Sequence, residues 1–419
     1  MSLDRLLGDV SGPVAAVLDR ALADRELTVD DATVLLGATG ADLLATMMAA
    51  DVARRADKGD VVTYVVCRNM NFTNVCYVGC TYCGFSRHKD DADAYDHPME
   101  KLVEKGRDAV ARGATEFCIQ GGIHPGKDHR HYREILTTLK AAFPDVHLHA
   151  FSPEEIDHGH RQSGMALEDY LRWLRDAGLG TIPGTAAEIL DDEIRAIIEP
   201  RKLKTARWVE IVEAAHRVGL RSTATVMYGH VEEPRHVAAH LGLVRDIQKR
   251  TGGFTEFVPL GYIHERNRLY NHLGARPGSS APEDVRLVAV ARLFLRPHVQ
   301  NVQMSWVKMG TKLAQMALAA GANDFGGTLM EESISRESGA DHGENLPAEE
   351  MRRLIREMGR TPAERSTTYR ILRVFEDPAL DPPSLEPKRE ARLSGPARWA
   401  RQGESRRGGA GASRSAASG

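Results

Sequence analysis

Cys76, Cys80 and Cys83 lie within the stretch NVCYVGCTYC and form a C-x3-C-x2-C pattern. The 419-residue chain has five cysteines, and three of them sit here. A structural zinc site takes four ligands, usually from paired knuckles, and the chain has no second C-x2-C. Iron–sulfur cubes also prefer thiolates. A cube held by three thiolates leaves one iron open, and an open iron can chelate an amine and a carboxylate. Tyr82 stands just before the last cysteine. A zinc or redox thiol cluster is the alternative. Cys67 and Cys118 fall on strand-like stretches, where cysteine packs as a small hydrophobe.

Gly121 and Gly122 end the stretch FCIQGG. Paired glycines let a backbone approach a ligand closely, though a tight turn needs them equally. Ser152 and Glu188 stand at the exits of two further strand-like stretches. Ser152 precedes Pro153 and also reads as a helix N-cap. Seven histidines fall between 124 and 160 and raise the question of a second metal site. His129 and His131 sit in a charged segment expected to be exposed. His124 and His149 are the better candidates, because both lie at strand C-terminal ends, where barrel sites are built. Tyr228 and Glu256 occupy similar positions on later strands. These four are the candidate catalytic residues, each with satisfied core polarity as the alternative.

The elements that must position these groups follow a rhythm. Residues 1–58 read as helices, with Thr28 capping one and Gly59 ending another. Strand-like runs then follow at 61–66, 114–122, 146–152, 179–184, 221–229, 254–260, 298–306 and 321–327, with helical patterns between most of them. This alternation predicts an α/β fold of parallel units, near the complement of a (β/α)8 barrel. A doubly wound sheet is the alternative, but the first strand runs into cysteines rather than a G-x-G-x-x-G turn. Three parts are expected: N-terminal helices over 1–58, the barrel with C-terminal helical elements over 59–370, and an extension over 371–419. From about 395 the extension is Gly, Ala, Ser and Arg rich and reads as a disordered basic tail.

Composition narrows the classes. Net charge is −3 with 27% charged residues, so no global field points to nucleic acid or a membrane surface. The start, MSLDRLLGDV, lacks a signal-peptide core, and no apolar run is long enough to span a bilayer. Few cysteines, clustered, point to a reducing, cytoplasmic compartment.

The motif C-x3-C-x-aromatic-C resembles that of radical S-adenosylmethionine (SAM) enzymes. Further stretches resemble one branch of that family: FCIQGGIHPG, HLHAFSPEEI, GLGTIPGTAAEILDDEIR, STATVMYGHVE, RTGGFTEFVPL, NVQMSWVKMG and NDFGGTLMEESISRESGADHG. That branch is the tyrosine-condensing subunit of 7,8-didemethyl-8-hydroxy-5-deazariboflavin (FO) synthase, and the resemblance spans about residues 55–370. It implies a radical SAM barrel with a [4Fe-4S] cluster on Cys76, Cys80 and Cys83. It also implies SAM on the open iron, near Tyr82, with the Gly121–Gly122 backbone at its amino group and Ser152 and Glu188 at its carboxylate or ribose.

The implied reaction takes a hydrogen from the amino nitrogen of L-tyrosine and breaks its Cα–Cβ bond. The 4-hydroxybenzyl fragment then joins C5 of 5-amino-6-(D-ribitylamino)uracil, on the route to coenzyme F-420. His124, His149, Tyr228, Glu256, Gln303 and Asn323 are offered for substrate contacts. The implied partners are a ring-closing synthase subunit and an electron donor. A futalosine-pathway menaquinone enzyme of the same family is the runner-up, and a non-catalytic metal protein is the reading from another class. One stretch departs from the family pattern: ERNRLYNHLGARPG places Arg266 and Arg268 where substrate contacts would change.

Overall fold

The β-branched runs fold as short parallel strands because both of their faces are covered, one by helices and one by the barrel interior. A computed structural model describes residues 8–383 and Leu385, and residues 8–383 belong to one compact unit. The tail expected to be disordered from about 395 lies outside the described residues. The strands are β1 (Val61–Val65), β2 (Cys67–Met70), β3 (Glu116–Ile119), β4 (His147–Ala150) and β5 (Thr181–Ile182). They continue with β6 (Arg221–Tyr228), β7 (Phe254–Gly261), β8 (Asp324–Gly327), β9 (Thr361–Arg365) and β10 (Ile371–Val374).

The run expected as one first strand is divided at Val66. β2 to β7 pair in chain order, all parallel. The circle closes through single bridges: Phe257 to Val302, Gln303 to Asp324, and Met330 to Arg68. Segment 302–303 is therefore the seventh stave and 324–330 the eighth, as the rhythm predicts. The seventh stave is only two bridges long because side-chain amides take over its ladder. Asn301 Nδ2 donates to the Thr255 carbonyl at 2.9 Å, and the Val302 amide donates to Asn323 Oδ1 at 2.9 Å.

The N-terminal helices form as read. Thr28 and Asp31 make a reciprocal capping box, and helix 40–58 ends at Gly59. Helices 29–36 and 40–58 pack on helix 281–295, outside the barrel. Two elements have no counterpart in the sequence reading. β9 pairs in parallel with β1, and β10 returns antiparallel on β9, so the sheet continues past residue 370. Another correction concerns His131. It lies in helix 129–142, is buried, and meets Phe72 edge-on at 5.6 Å.

Candidate active site

A cavity of about 380 Å³ runs down the barrel from the C-terminal ends of the strands. Its mouth is built by the loops that follow the strands, the usual place for chemistry in such barrels. Backbone strain gathers there. Five non-glycine residues with positive φ stand beyond β4, β5 and β8: Phe151 (62°), Ala186 (62°), Glu188 (41°), Leu329 (52°) and Glu331 (63°).

Cys76, Cys80 and Cys83 all line this cavity, and all are free thiols. Burial pushes the Cys76 and Cys80 thiols up, and the Lys202 ammonium works against this at Cys80. Such thiols stay protonated at neutral pH unless a metal cation draws the protons off. Among the described residues no three His, Cys, Asp or Glu side chains are gathered to hold a single metal ion. A lone zinc would draw its thiolates to about 2.3 Å each, whereas an iron–sulfur cube spreads one thiolate per iron. Cys67 and Cys118 stay on β2 and β3, so the loop offers three soft ligands and no fourth. The donor set fits a cube with one open iron. Both strand cysteines nonetheless face the cavity wall, beyond the pure core role expected of them.

Gly122 has a packing reason to be glycine. A Cβ there would stand 2.3 Å from the Val75 carbonyl oxygen, so the cysteine loop passes directly over it. The Gly121 amide donates to Glu155 at 3.0 Å and the Gly122 amide to the Thr73 carbonyl at 2.8 Å. Both carbonyl oxygens remain without a protein donor among the described residues. The pair therefore presents acceptors to the cavity, suited to an ammonium. Ser152 does cap helix 153–163, in a capping box with Glu155. Its hydroxyl lies 2.7 Å from Glu155 Oε2, so the serine and its partner form one polar edge of the mouth. Burial pushes the Glu155 carboxyl up to about 7.

Tyr82 and Glu188 meet. The Tyr82 hydroxyl is 2.6 Å from Glu188 Oε1 and 3.1 Å from Glu199 Oε2. Lys202 Nζ donates to the Tyr82 oxygen and to Glu188, each at 2.7 Å, and stands 3.2 Å from Glu199. Burial raises the Glu188 carboxyl, but Lys202 outweighs it and the net direction is down. Burial works against charge on Lys202, and Glu188 and Glu199 more than restore it. Lys202 and Glu199 were missed by the sequence reading, because EPRKLK carries no spacing that separates a buried lysine from surface ones.

Deeper in the barrel, His149 and Glu256 line the cavity, together with Gln303. His149 Nδ1 lies 2.7 Å from the Thr181 hydroxyl, and its Nε2 has no protein partner among the described residues. Burial, then Arg365, pushes the imidazole down to about 3, so it works as a neutral ring. Burial raises the Glu256 carboxyl to about 7. Its Oε2 accepts from the Tyr369 hydroxyl at 2.5 Å and faces Arg365 at 3.5 Å, while Oε1 is left open. Arg365 itself forks onto Asp324 at 2.5 and 3.0 Å. Arg365 and Tyr369 come from β9 and the loop after it, which the sequence reading did not find.

Two candidates are not brought to this site. His124 accepts from the Gly126 amide at 2.9 Å through Nδ1 and does not line the cavity. Tyr228 turns outward, and its hydroxyl donates to Asp284 at 2.7 Å on the helix outside the barrel. Strand alternation explains Tyr228: Thr223, Thr225 and Met227 face inward, so Tyr228 faces out. Asn323 is buried in the seventh-stave ladder rather than the cavity. Arg266 and Arg268 are exposed and lie outside the cavity, against the expectation of substrate contact.

Comparison with known proteins agrees with this geometry. Residues 70–244 match the radical SAM superfamily, and residues 251–377 match the CofH/MqnC C-terminal region. A protein of Methanothermobacter thermautotrophicus named 5-amino-6-(D-ribitylamino)uracil–L-tyrosine 4-hydroxyphenyl transferase is 48% identical over 354 residues, covering 84% of this chain and 96% of that one. This chain belongs to that family. A transferase of the same name from Methanopyrus kandleri is 48% identical, over 83% of this chain and 94% of the other. An FO synthase of Mycobacterium tuberculosis is 49% identical over 81% of this chain, which spans 40% of the synthase's length. In fold, the hydrogenase maturase HydG of Carboxydothermus hydrogenoformans superposes with a TM-score of 0.65 over 85% of this chain and 80% of its own, at 14% identity. Methylornithine synthase (PylB) gives 0.63, over 83% and 97%, at 17% identity. Membership in the 4-hydroxyphenyl transferase family carries the general implication of a [4Fe-4S] cluster and SAM. No helix among the described residues is long and apolar enough to cross a membrane.

Proposed function

We propose that residues 59–370 transfer the 4-hydroxybenzyl group of L-tyrosine to 5-amino-6-(D-ribitylamino)uracil. The observation that carries this is one cavity with two ends. Three thiols with no fourth stand at its mouth, and an open carboxylate and a neutral imidazole stand at its floor. The names of the full-length relatives supply the substrates.

Cys76, Cys80 and Cys83 would hold the cluster, and Gly121, Gly122, Tyr82, Ser152 and Glu188 would surround SAM. When bound, the pair supplies a 5′-deoxyadenosyl radical. The chain's own work is orientation. The two glycine carbonyls without a protein donor would accept from the SAM ammonium. Lys202 holds Glu188 ionised and fixes the hydroxyl of Tyr82, the residue before the last cysteine. The closed wall of staves keeps water from the reacting atoms. At the floor, His149 Nε2 and Glu256 Oε1 are the open polar atoms, and they take up the hydroxyls and N–H edges of the ribitylaminouracil. Glu256, raised to about 7, accepts a proton near neutral pH. A ring-closing partner then receives the adduct. The greater length of the FO synthases supports that step, since this chain matches only 40% of one.

The test is anaerobic. The protein is reconstituted with iron and sulfide, reduced, and given SAM with L-tyrosine and the diaminouracil. Mass spectrometry follows 5′-deoxyadenosine and the hydroxybenzyl–uracil adduct. Adduct that requires both substrates supports the reading. 5′-Deoxyadenosine without adduct, with every substrate present, overturns it.

A further inference from the structure

Lysine and arginine line the barrel cavity at three positions among the described residues: Lys202, Lys308 and Arg365. Two of them are engaged. Lys202 is held by Glu188, Glu199 and Tyr82, and Arg365 forks onto Asp324. Lys308 Nζ has neither a hydrogen bond nor an ion pair among the described residues.

The backbone fixes where Lys308 stands. It lies in the single-turn helix 306–309 after the seventh stave, and its amide donates to the Ser305 carbonyl at 3.0 Å. Its Cβ is 3.9 Å from where a Cβ on Gly261 would be. Gly261 ends β7, whose cavity-lining residues Glu256, Val258 and Leu260 climb from the floor to that end. Four residues of strand rise about 13 Å. The lysine is therefore rooted at the mouth end of β7, and two apolar side chains stand between that end and Glu256. A second chamber, of about 330 Å³, also touches Lys308 and carries Glu265, Asp284 and Asp341. The ammonium faces the barrel cavity instead. The charges that act on it are those of Glu332, Glu188 and Cys83, which all line that cavity. Burial opposes its charge and outweighs them. Glu332 does not reach it, because both of its oxygens face the Ser335 amide, at 3.1 and 3.0 Å.

An ammonium drawn out of water without a counter-ion costs the fold and suits an anionic ligand. The proposed reaction brings two carboxylates into the cavity. That of SAM has the open iron, the diaminouracil carries none, and that of L-tyrosine remains. We propose that Lys308 binds the α-carboxylate of L-tyrosine and so turns the amino-acid end of the substrate toward the mouth. The amino nitrogen and Cα then lie on the SAM side, and the phenol ring runs past Leu260 and Val258 toward the floor. After the Cα–Cβ bond breaks, Lys308 keeps the carboxylate-bearing fragment apart from the 4-hydroxybenzyl fragment. The inference rests on the substrate reading of the previous subsection.

The test is a binding cycle on the reconstituted full chain, with SAM and the diaminouracil present and the cluster left oxidised so that nothing turns over. Equilibrium dialysis compares labelled L-tyrosine with tyramine, which keeps the amine and the phenol but lacks the carboxylate. The parent should bind tyrosine at least about 30-fold more tightly than tyramine. In Lys308→Met, and again in Lys308→Gln, tyrosine should weaken to the level of tyramine, while tyramine and SAM bind as in the parent. Lys308→Arg should recover most of the preference. Iron content and cluster absorbance equal to the parent's show that a variant is folded.

A parent-like preference for tyrosine in both neutral variants overturns the assignment. Equal weakening of tyrosine and tyramine also overturns it, since the lysine would then hold the shape of the cavity rather than the carboxylate. Loss of SAM affinity with tyrosine unchanged moves the lysine to SAM and overturns it as well. A parent protein that binds neither tyrosine nor tyramine overturns the substrate reading itself, and the role of Lys308 with it.

Discussion

The mouth and the floor of the barrel each set a buried cation among two carboxyl groups and a tyrosine, and at the mouth a second buried cation, Arg195, pairs with Glu199 at 2.7 Å. At the mouth Lys202 stands among Glu188, Glu199 and Tyr82. At the floor Arg365 stands among Asp324, Glu256 and Tyr369, with its guanidinium 4.0 Å above the Tyr369 ring. The lysine is a point charge and shares itself among all three partners. The arginine is a rigid fork and gives both prongs to Asp324, so Glu256 is held loosely. Lys202 therefore overcomes burial and drives Glu188 down, while at Glu256 burial outweighs Arg365, the carboxyl rises to about 7, and one oxygen stays open. Burial also raises Glu199 at the mouth to about 7, but Lys202, Arg195 and Tyr82 take up its carboxylate, whereas Glu256 keeps an open oxygen toward the cavity.

The comparison can be broken from either end. The largest effect is expected at the mouth. Cys80→Ala should lose most of the bound iron and lower product to background, read by iron analysis and mass spectrometry. At the floor, Arg365→Met leaves Asp324 and Glu256 buried without their cation. Stability should fall by about 3–5 kcal/mol, measured by chemical denaturation. Glu256→Gln keeps the shape and removes the titration. Adduct formation should drop about 100-fold at neutral pH. In the parent, the carboxylate fraction grows as pH rises through about 7, so the adduct rate should climb over that range and then level. The Gln variant should show no such limb.

The smallest effect sharpens the boundary of the floor. Tyr228 bonds Asp284 outside the cavity, so Tyr228→Phe should cost about 1 kcal/mol of stability and leave kcat near its parent value. A large kcat loss would bring Tyr228 into the site.

Legibility in the sequence also differs between the two regions. The mouth is local: Cys76, Cys80, Cys83 and Tyr82 share one loop, and Gly121–Gly122 marks the next strand exit, so spacing alone exposes them. The barrel rhythm was equally plain, because β-branched runs and helical patterns alternate from Val61 to Gly327. The floor is assembled from afar. Arg365 and Tyr369 arrive from a ninth strand and the loop after it, 109 and 113 residues past Glu256, and no period joins them. His124 and Tyr228 misled for a shared reason. Nearness to a strand end says nothing of which way a side chain points. The inward phase at Thr225 and Met227 decides Tyr228, and a turn at Gly126 decides His124.

One assay tests the division of labour most directly: the ratio of 5′-deoxyadenosine to hydroxybenzyl–uracil adduct in Glu256→Gln, beside the parent and Cys80→Ala. The account predicts that Glu256→Gln still forms 5′-deoxyadenosine near the parent rate while adduct falls about 100-fold. Cys80→Ala should form neither. Parent-level adduct from Glu256→Gln, or loss of both products together, would contradict a floor that acts on the substrate separately from the mouth.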